Sequence, residues 1–548
     1  MIIGLDLDNT IIDYRNAFWE TALETGILIE SDRDFVTKNR DTIPNKKQIK
    51  NYFSICKKDF FSWEALQGQV YGKYIHYAKL FPGIGNFLLH AKRRKNQIFI
   101  LSHKTEYGHH DESFTNLRKA ALSFLQNNSL LNGKYGITKK NIFFFNTRKE
   151  KIDKIAELNC GYFVDDLQEV LEDKIFPKKT TKIHFDIHSE KSSSGIFNSW
   201  EKISNEIFGE IEEEDITFYI ENLSKKTVKK VDRIKGRSNS RVYKIELDTG
   251  QKLVGKLYPE KTFDERFRLE KETKAYKFLH SKKIKLTPKS IWYEKKLNFA
   301  LFEWIDGREI KKISDEQINQ AAEFIRLLTN ISKNVNYSDF KLASAACISG
   351  QMIEQQIIHR FKNISNLTYK NSELNSFLDN DFYFTFKKIL LSSKQLWPGD
   401  FARNLSINYQ ILSPSDFGFH NVLNTKNGLR FLDFEYFGWD DPAKLISDFL
   451  LHPGMVLNDN QKSLWLNRME NIFVEDKTFR QRLTASYCLY GLCWILIILN
   501  IFFREKISQK NKGIKEGSFT KTLDNHISQS KKLLLHLKEV QNFGLKYE

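Results

Sequence analysis

Cysteine is scarce, with five residues in 548. Cys56, Cys160, Cys347, Cys488 and Cys493 form no CxxC pair and have no histidine at zinc-ligand spacing. That excludes a disulfide framework and a structural zinc module, and reads as small buried hydrophobes in a reducing compartment. Proline (9) and glycine (26) are also few, which excludes fibrous and low-complexity classes. Acidic residues are in deficit, 68 against 85 basic, for a net charge of +17. No basic run is interleaved with aromatics as RNA-binding motifs are, so the charge reads as a solvated enzyme surface and no nucleic-acid partner is expected. The N-terminal MIIGLDLDNT has no basic n-region and reads as a strand, so a cytoplasmic protein is expected. One apolar run exists, Tyr487 to Phe503, 17 residues broken by Gly491 and Asn500. A spanning helix needs about 20 residues, so a buried core helix is expected, with no membrane insertion. No internal repeat of solenoid length is visible.

The chain is 41% hydrophobic and 14% aromatic, enough for sizeable cores. At roughly 100–200 residues per domain it should hold several units. Short apolar strands (Ile2 to Leu7, Gln97 to Leu101, Asn141 to Phe145, Tyr162 to Val164) alternate with helical segments. Such alternation predicts a doubly wound parallel sheet with ligands at the carboxyl ends of its strands. Glu210 to Asp215 is an acidic run and Glu190 to Gly195 a polar loop; the linker is placed at 209–224. From Val231 to Leu257 the pattern is that of β-hairpins, with a turn at Asp248 to Gly250. Beyond Asp315 it is mainly helical, interrupted near Leu412 to Phe437.

Asp6 and Asp8 end the first strand, two residues apart. Extended chain puts both carboxylates on one side, an arrangement that favours a bound Mg²⁺. One carboxylate can attack phosphorus while the other handles protons. Ser102 ends the second strand and can hydrogen-bond a phosphoryl oxygen. Lys151 opens a helix and can neutralise nucleophile and phosphate. Asp165 and Asp166 end a third strand and can complete the metal site. This set resembles the haloacid dehalogenase-like phosphatase superfamily over residues 1–208. The resemblance implies Asp6 as nucleophile, Asp8 as general acid/base, Asp165 or Asp166 as Mg²⁺ ligand, Thr10 as support of the aspartate loop, and a helical cap at about 16–79.

A second set lies in Leu412 to Tyr436, LSPSDFGFHNVLNTKNGLRFLDFEY. Asp416 and Asn421 are five apart, and Asp433 follows. Phosphoryl transfer from ATP needs a carboxylate beside the attacking hydroxyl and oxygen ligands for Mg²⁺, and this spacing supplies both. The segment, with Phe437 to Ala443 after it, resembles the aminoglycoside phosphotransferase and choline kinase-like family over about residues 225–510. The resemblance implies a two-lobed kinase-like fold over 225–548, with an N-lobe at about 225–305 and a C-lobe at about 306–548. It assigns Gly236, Ser238 and Asn239 to a nucleotide-covering loop and Lys256 to the phosphates, with Glu272 as its partner. Glu303, Trp304 and Ile305 would form the adenine hinge, and Asn421 and Asp433 would hold Mg²⁺. The family's histidine two residues before the catalytic aspartate is Pro414 here. Gly250 to Lys256 matches G-x-x-x-x-G-K, but Leu257 follows where Ser or Thr is needed, and the context is a hairpin, not a phosphate loop.

The combined expectation is a bifunctional Mg²⁺-dependent phosphatase and ATP-dependent kinase. Its substrates would be a phosphomonoester and a sugar or amino-alcohol hydroxyl, in surface-polysaccharide precursor synthesis. The alternatives are an active phosphatase with a nucleotide-binding pseudokinase, and a nucleic-acid end-processing enzyme.

Overall fold

The computed structural model describes residues 1–32, 44, 46–55, 60–189, 195–234, 240–259, 266–366, 371–503 and 516–545. Cys56, Gly236, Ser238 and Asn239 lie outside the described residues, as does most of the expected loop at 190–195. The chain divides into two compact units: Met1–Glu265 with Trp292–Phe302, and Arg266–Ile291 with Glu303–Glu548.

The first unit is built on strand β1 (Ile2–Leu5). Its residues are apolar, and all but Ile2 are buried, as a strand covered on both faces requires. A two-residue antiparallel ribbon, β2 (Ile12–Asp13) with β3 (Lys79–Leu80), carries the chain out to and back from the helices Arg15–Glu24, Lys46–Ile55 and Phe60–Tyr71. These helices occupy the stretch at about 16–79, and the ribbon that positions them is too short to read from sequence. Then come β4 (Gln97–His103), β5 (Ile142–Phe145), β6 (Tyr162–Asp165), β7 (Thr181–Phe185) and β8 (Ile196–Phe197). The sheet order is β5-β4-β1-β6-β7-β8, all pairings parallel. The carboxyl ends of β4, β1 and β6 therefore lie side by side.

The stretch expected as a linker holds the helix Glu213–Ser224. Three acidic residues in its first turn suit the positive end of a helix dipole. Asp215 is buried, accepts a hydrogen bond from Arg93 and lies 3.5 Å from the His90 ring. The acidic run is a docked helix start, because its charges have partners on the helix Ile84–Arg93.

The same unit carries a second sheet of β9 (Val228–Ile234), β10 (Arg241–Leu247), β11 (Lys252–Leu257), β12 (Ser290–Glu294) and β13 (Phe299–Glu303), in the order β12-β13-β11-β10-β9. The expected turn follows β10, with Gly250 at φ +79°. Gly255 and Lys256 lie within β11, which removes the phosphate-loop reading on structural grounds. This sheet is anchored to the helices of the first. Asn86 Nδ2 donates to the Leu297 carbonyl (3.0 Å), and Arg241 pairs with Glu201 (3.1 Å).

The second unit is mainly helical. Small sheets join β14 (Arg308–Glu309), β16 (Val422–Thr425) and β17 (Gly428–Phe431), and pair β15 (Ile411–Ser413) with β18 (Gly438–Asp440). The apolar run lies mostly in the helix Phe479–Ile498. Leu489, Leu492, Ile495 and Leu496 are fully buried against the helices Gly350–Ser365, Tyr383–Leu396 and Glu516–Phe543. A helix apolar on every side is the core expected from the sequence.

Candidate active sites

The first site follows from strand adjacency. β1 and β6 are parallel neighbours, so Asp6 and Asp165 emerge side by side, and the Asp6 N–H donates to the Val164 carbonyl at 2.8 Å. The helix Arg148–Glu157 starts at a capping box, with Thr147 and Glu150 reciprocally bonded. Its buried face is Lys151, Ile152 and Ile155. Lys151, 1% exposed, donates to Asp6 Oδ1 at 2.5 Å and Asp165 Oδ2 at 2.7 Å. Burial disfavours the lysine's charge, but the two carboxylates outweigh it and raise its pKa. Lys149 and Lys154 lie away from this centre, the latter paired with Glu157.

Asp6, Asp165 and Asp166 offer carboxylate oxygens within 4.8 Å of one another. Burial, then the neighbouring Asp165 and Asp166, push Asp6 well above the usual carboxylate range against the pull of Lys151. Burial and Asp165 push Asp166 up to about 7. Crowded, desolvated hard oxygens of this kind suit Mg²⁺. Asp8 stands outside that group. The chain turns at Asn9 (φ 56°), so the extended geometry ends, and Asp8 accepts from Tyr14 Oη (2.8 Å) and Lys104 Nζ (2.7 Å). Ser102 is buried at the end of β4 beside β1. Thr10 Oγ1 donates weakly to Asp166 Oδ1 (3.4 Å), and its carbonyl accepts from Trp200 Nε1 (2.9 Å).

Sequence reasoning missed four residues here. Tyr14 and Lys104 hold Asp8. From the helix Phe60–Tyr71, Tyr71 lies under Lys104 (4.7 Å, ring centroid), and its hydroxyl accepts from Lys46 Nζ at 2.9 Å. Lys104 stands two residues after Ser102, which was a usable signal. Lys46 and Tyr71 are brought in by the helices Lys46–Ile55 and Phe60–Tyr71. His109 is exposed, and His110 pairs with Glu64 at 3.3 Å.

The second site lies in the second unit. Asn421 Nδ2 donates to the Asp416 carbonyl at 3.0 Å, and the Leu432 N–H donates to the Asn421 carbonyl at 2.8 Å. These bonds tie the two loops together and bring Asp433 toward Asn421. Glu272 holds the second loop from the helix Arg268–Ser281. The Tyr276 hydroxyl donates to Glu272 Oε1 (2.7 Å) and accepts from the Asp433 N–H (2.9 Å), and the Phe434 N–H donates to the same carboxylate (3.3 Å). Asp433 (φ 64°) and Ser415 (φ 68°) take left-handed backbone, uncommon for non-glycine residues and typical of functional loops. Asp440 accepts from the Cys347 N–H, and Asp441 caps the helix Pro442–Leu451 while pairing with buried Arg482 at 2.6 Å.

Where Pro414 replaces the expected histidine, His420 supplies a contact from the other side. Its Nε2 donates to Asp416 Oδ1 at 3.0 Å. Burial pushes the Asp416 carboxyl up, but the bond and charge of His420 bring it below the usual range. His452 stacks on His420, centroids 3.9 Å apart. The three residues resemble a metal-binding group by proximity. The tautomer argues otherwise. The Gly454 N–H donates to His452 Nδ1 at 2.9 Å, so the neutral ring carries its proton on Nε2 and offers no lone pair there. Burial, then His420, lower His452 to about 4, which keeps it neutral.

Lys256 lies buried on β11, its ammonium 4.8 Å from the Tyr258 ring centroid. The Glu303 N–H is used by the Lys289 carbonyl (2.9 Å), and Trp304 Nε1 bonds Asp306 (2.8 Å). Ile305 follows in the same irregular segment.

The model of the phosphotransferase enzyme family (APH) matches residues 230–345. The match covers the second sheet and the helix with Glu272; it stops short of Asp416 and leaves residues 1–229 uncovered. No curated protein matches the chain. Among solved structures, an ethanolamine kinase of Plasmodium vivax is 13% identical, with a TM-score of 0.40 over 62% of this chain and 93% of its own. Choline kinase LicA of Streptococcus pneumoniae is 15% identical, with a TM-score of 0.39 over 59% and 98%. A choline kinase of Cryptosporidium parvum Iowa II is 13% identical, with a TM-score of 0.37 over 57% and 91%. These likenesses are too distant to bear on fold or activity. The family match marks residues 230–345 as similar to phosphotransferase sequence.

Proposed function

We propose that the chain handles phosphate at two sites. The C-terminal part transfers the γ-phosphoryl group of ATP to the hydroxyl of a small molecule. The observation that carries this reading is the pair of tied loops, Asp416–Asn421 and Asp433, downstream of the phosphotransferase match. The acceptor oxygen bonds to the γ-phosphorus, its bond to ADP breaks, and Asp416 takes the hydroxyl proton. Lys256 lies on the strand expected to face the phosphates. Asn421 and Asp433 would hold the divalent cation that neutralises phosphate charge.

The N-terminal site supports hydrolysis of a phosphomonoester. Asp6 attacks phosphorus, Asp8 gives a proton to the departing alkoxide, and water then cleaves the aspartyl phosphate, returning a proton to Asp8. Lys151 holds Asp6 in place and favours its ionised form against the effect of burial. Asp6, Asp165 and Asp166 would hold Mg²⁺, which when bound would stabilise phosphoryl charge. The carrying observation is the buried Lys151 bridging two strand-end carboxylates.

The test is ADP formation with a panel of hydroxyl acceptors beside phosphate release from a panel of sugar phosphates. Acceptor-dependent ADP formation supports the kinase. Absence of ATP binding would end that reading, and absence of phosphate release with Mg²⁺ would end the phosphatase reading.

A further inference from the structure

A cavity of about 510 Å³ lies in the second unit, between the helix Gly350–Ser365 and the residues closing the apolar helix. Gln355, Gln356, His359, Arg360 and Asn363 line one wall; Asn500 and Phe503 line another. Among the described residues no carboxylate lines it. Arg360 is half-buried and has no ion-pair or hydrogen-bond partner among the described residues. The other polar side chains are mostly amides, which pair well with hydroxyls.

One turn connects the cavity to the Asp416 loop. Its lining residue Ala346 belongs to a turn in which the Ser344 carbonyl accepts from Ser415 Oγ at 3.2 Å, one residue before Asp416. Gln356 Nε2 donates to the Ala345 carbonyl of the same turn at 2.8 Å.

We infer that this cavity receives the phosphoryl acceptor, and that the acceptor is a polyhydroxylated molecule bearing an anionic group, carboxylate or phosphate, seated on Arg360. This rests on the kinase reading of Asp416. A planar guanidinium matches either anion with paired hydrogen bonds. A quaternary or primary ammonium acceptor would instead meet an unpaired positive charge and no carboxylate, and Phe503 alone does not offset that repulsion. The wall chemistry therefore selects against cationic amines and for sugar acids or sugar phosphates.

The experiment is calorimetric titration of the full-length protein with glucuronate, glucose 6-phosphate, glucose, choline and kanamycin, and separately with a non-hydrolysable ATP analogue. Wild type is compared with Arg360→Gln and Arg360→Lys. Expected is binding of at least one anionic probe, weakened about tenfold or more by Arg360→Gln and partly restored by Arg360→Lys, with nucleotide affinity unchanged. Glucuronate and glucose 6-phosphate separate the two anion classes. Tighter binding of choline or kanamycin than of either anion overturns the inference, as does an anion affinity indifferent to Arg360. Nucleotide binding with no binding of any anionic probe also overturns it, with the kinase reading intact. Anion binding without nucleotide binding would overturn the kinase reading while the cavity keeps its assigned ligand class.

Discussion

The two carboxylate centres differ in how they are held. At the first, Asp6 and Lys151 are 9% and 1% exposed at the side chain, sealed beneath the ends of adjacent parallel strands. At the second, Asp416 is 37% exposed and stands on a loop, steadied by His420 and Asn421. The first arrangement is fixed by sheet order, since β4, β1 and β6 must be neighbours once the strands pair. The second is fixed by loop hydrogen bonds and two left-handed residues, Ser415 and Asp433. Strand ends give position without strain, whereas loops reach position by local bonds that single substitutions can remove.

That contrast sets the order of expected effects. Lys151→Met should be the most damaging change, because it leaves Asp6 and Asp165 buried beside each other without a cation. Unpaired buried charge of this kind costs about 3–5 kcal/mol. Denaturant unfolding should show that loss, and Mg²⁺ should restore part of it. No loss of stability would mean the centre is wetter than its burial implies. Asp6→Asn should lower phosphate release at least about a thousandfold while leaving ATP-dependent transfer unchanged.

The helix Ile84–Arg93 links the first sheet to the second. A side chain at Gly85 would overlap the Lys296 carbonyl. Gly85→Val should cost about 1–3 kcal/mol in thermal or denaturant unfolding without changing kcat at either site. An unaffected Tm would show that this packing is looser than described.

On the same helix, His90 is fully buried, and burial lowers its pKa to about 4, despite the opposing pull of Asp215. The unfolded chain then binds the extra proton between about pH 6.5 and pH 4. Stability should fall as pH falls through that window, by up to about 3 kcal/mol, and be unaffected by His90 above it. His90→Gln should flatten the profile, and an unchanged slope would remove His90 as the cause.

The smallest effect is expected at His420. Its hydrogen bond lowers the Asp416 pKa, so His420→Gln should move the acid limb of the transfer rate to higher pH, by less than about one unit, with the alkaline limb unmoved. An unmoved acid limb would mean that His420 does not govern Asp416.

How much of this was legible follows from the same contrast. Asp6, Asp165, Asp166 and Ser102 could be placed from strand-end positions and Lys151 from the start of a helix, because alternating strands and helices carry their own register; Asp8 was grouped with Asp6 but stands apart. Asp416, Asn421 and Asp433 could be placed on two neighbouring loops, since both loops are short. Lys46 and Tyr71 were invisible because a ribbon of two residues per strand decides which helices come near Asp8. His420 was overlooked because the expected histidine lay upstream, at Pro414. The acidic run at 210–215 looked like solvated linker because its partners, Arg93 and His90, are more than a hundred residues away in sequence.

The most direct test of the central claim is to measure phosphate release and ATP-dependent transfer on wild type, Asp6→Asn and Asp416→Asn, in one buffer with Mg²⁺. The account predicts a clean separation: Asp6→Asn loses only phosphate release, and Asp416→Asn loses only transfer. Loss of both activities in either variant, or retention of both in either, would contradict two independent phosphate-handling sites in one chain.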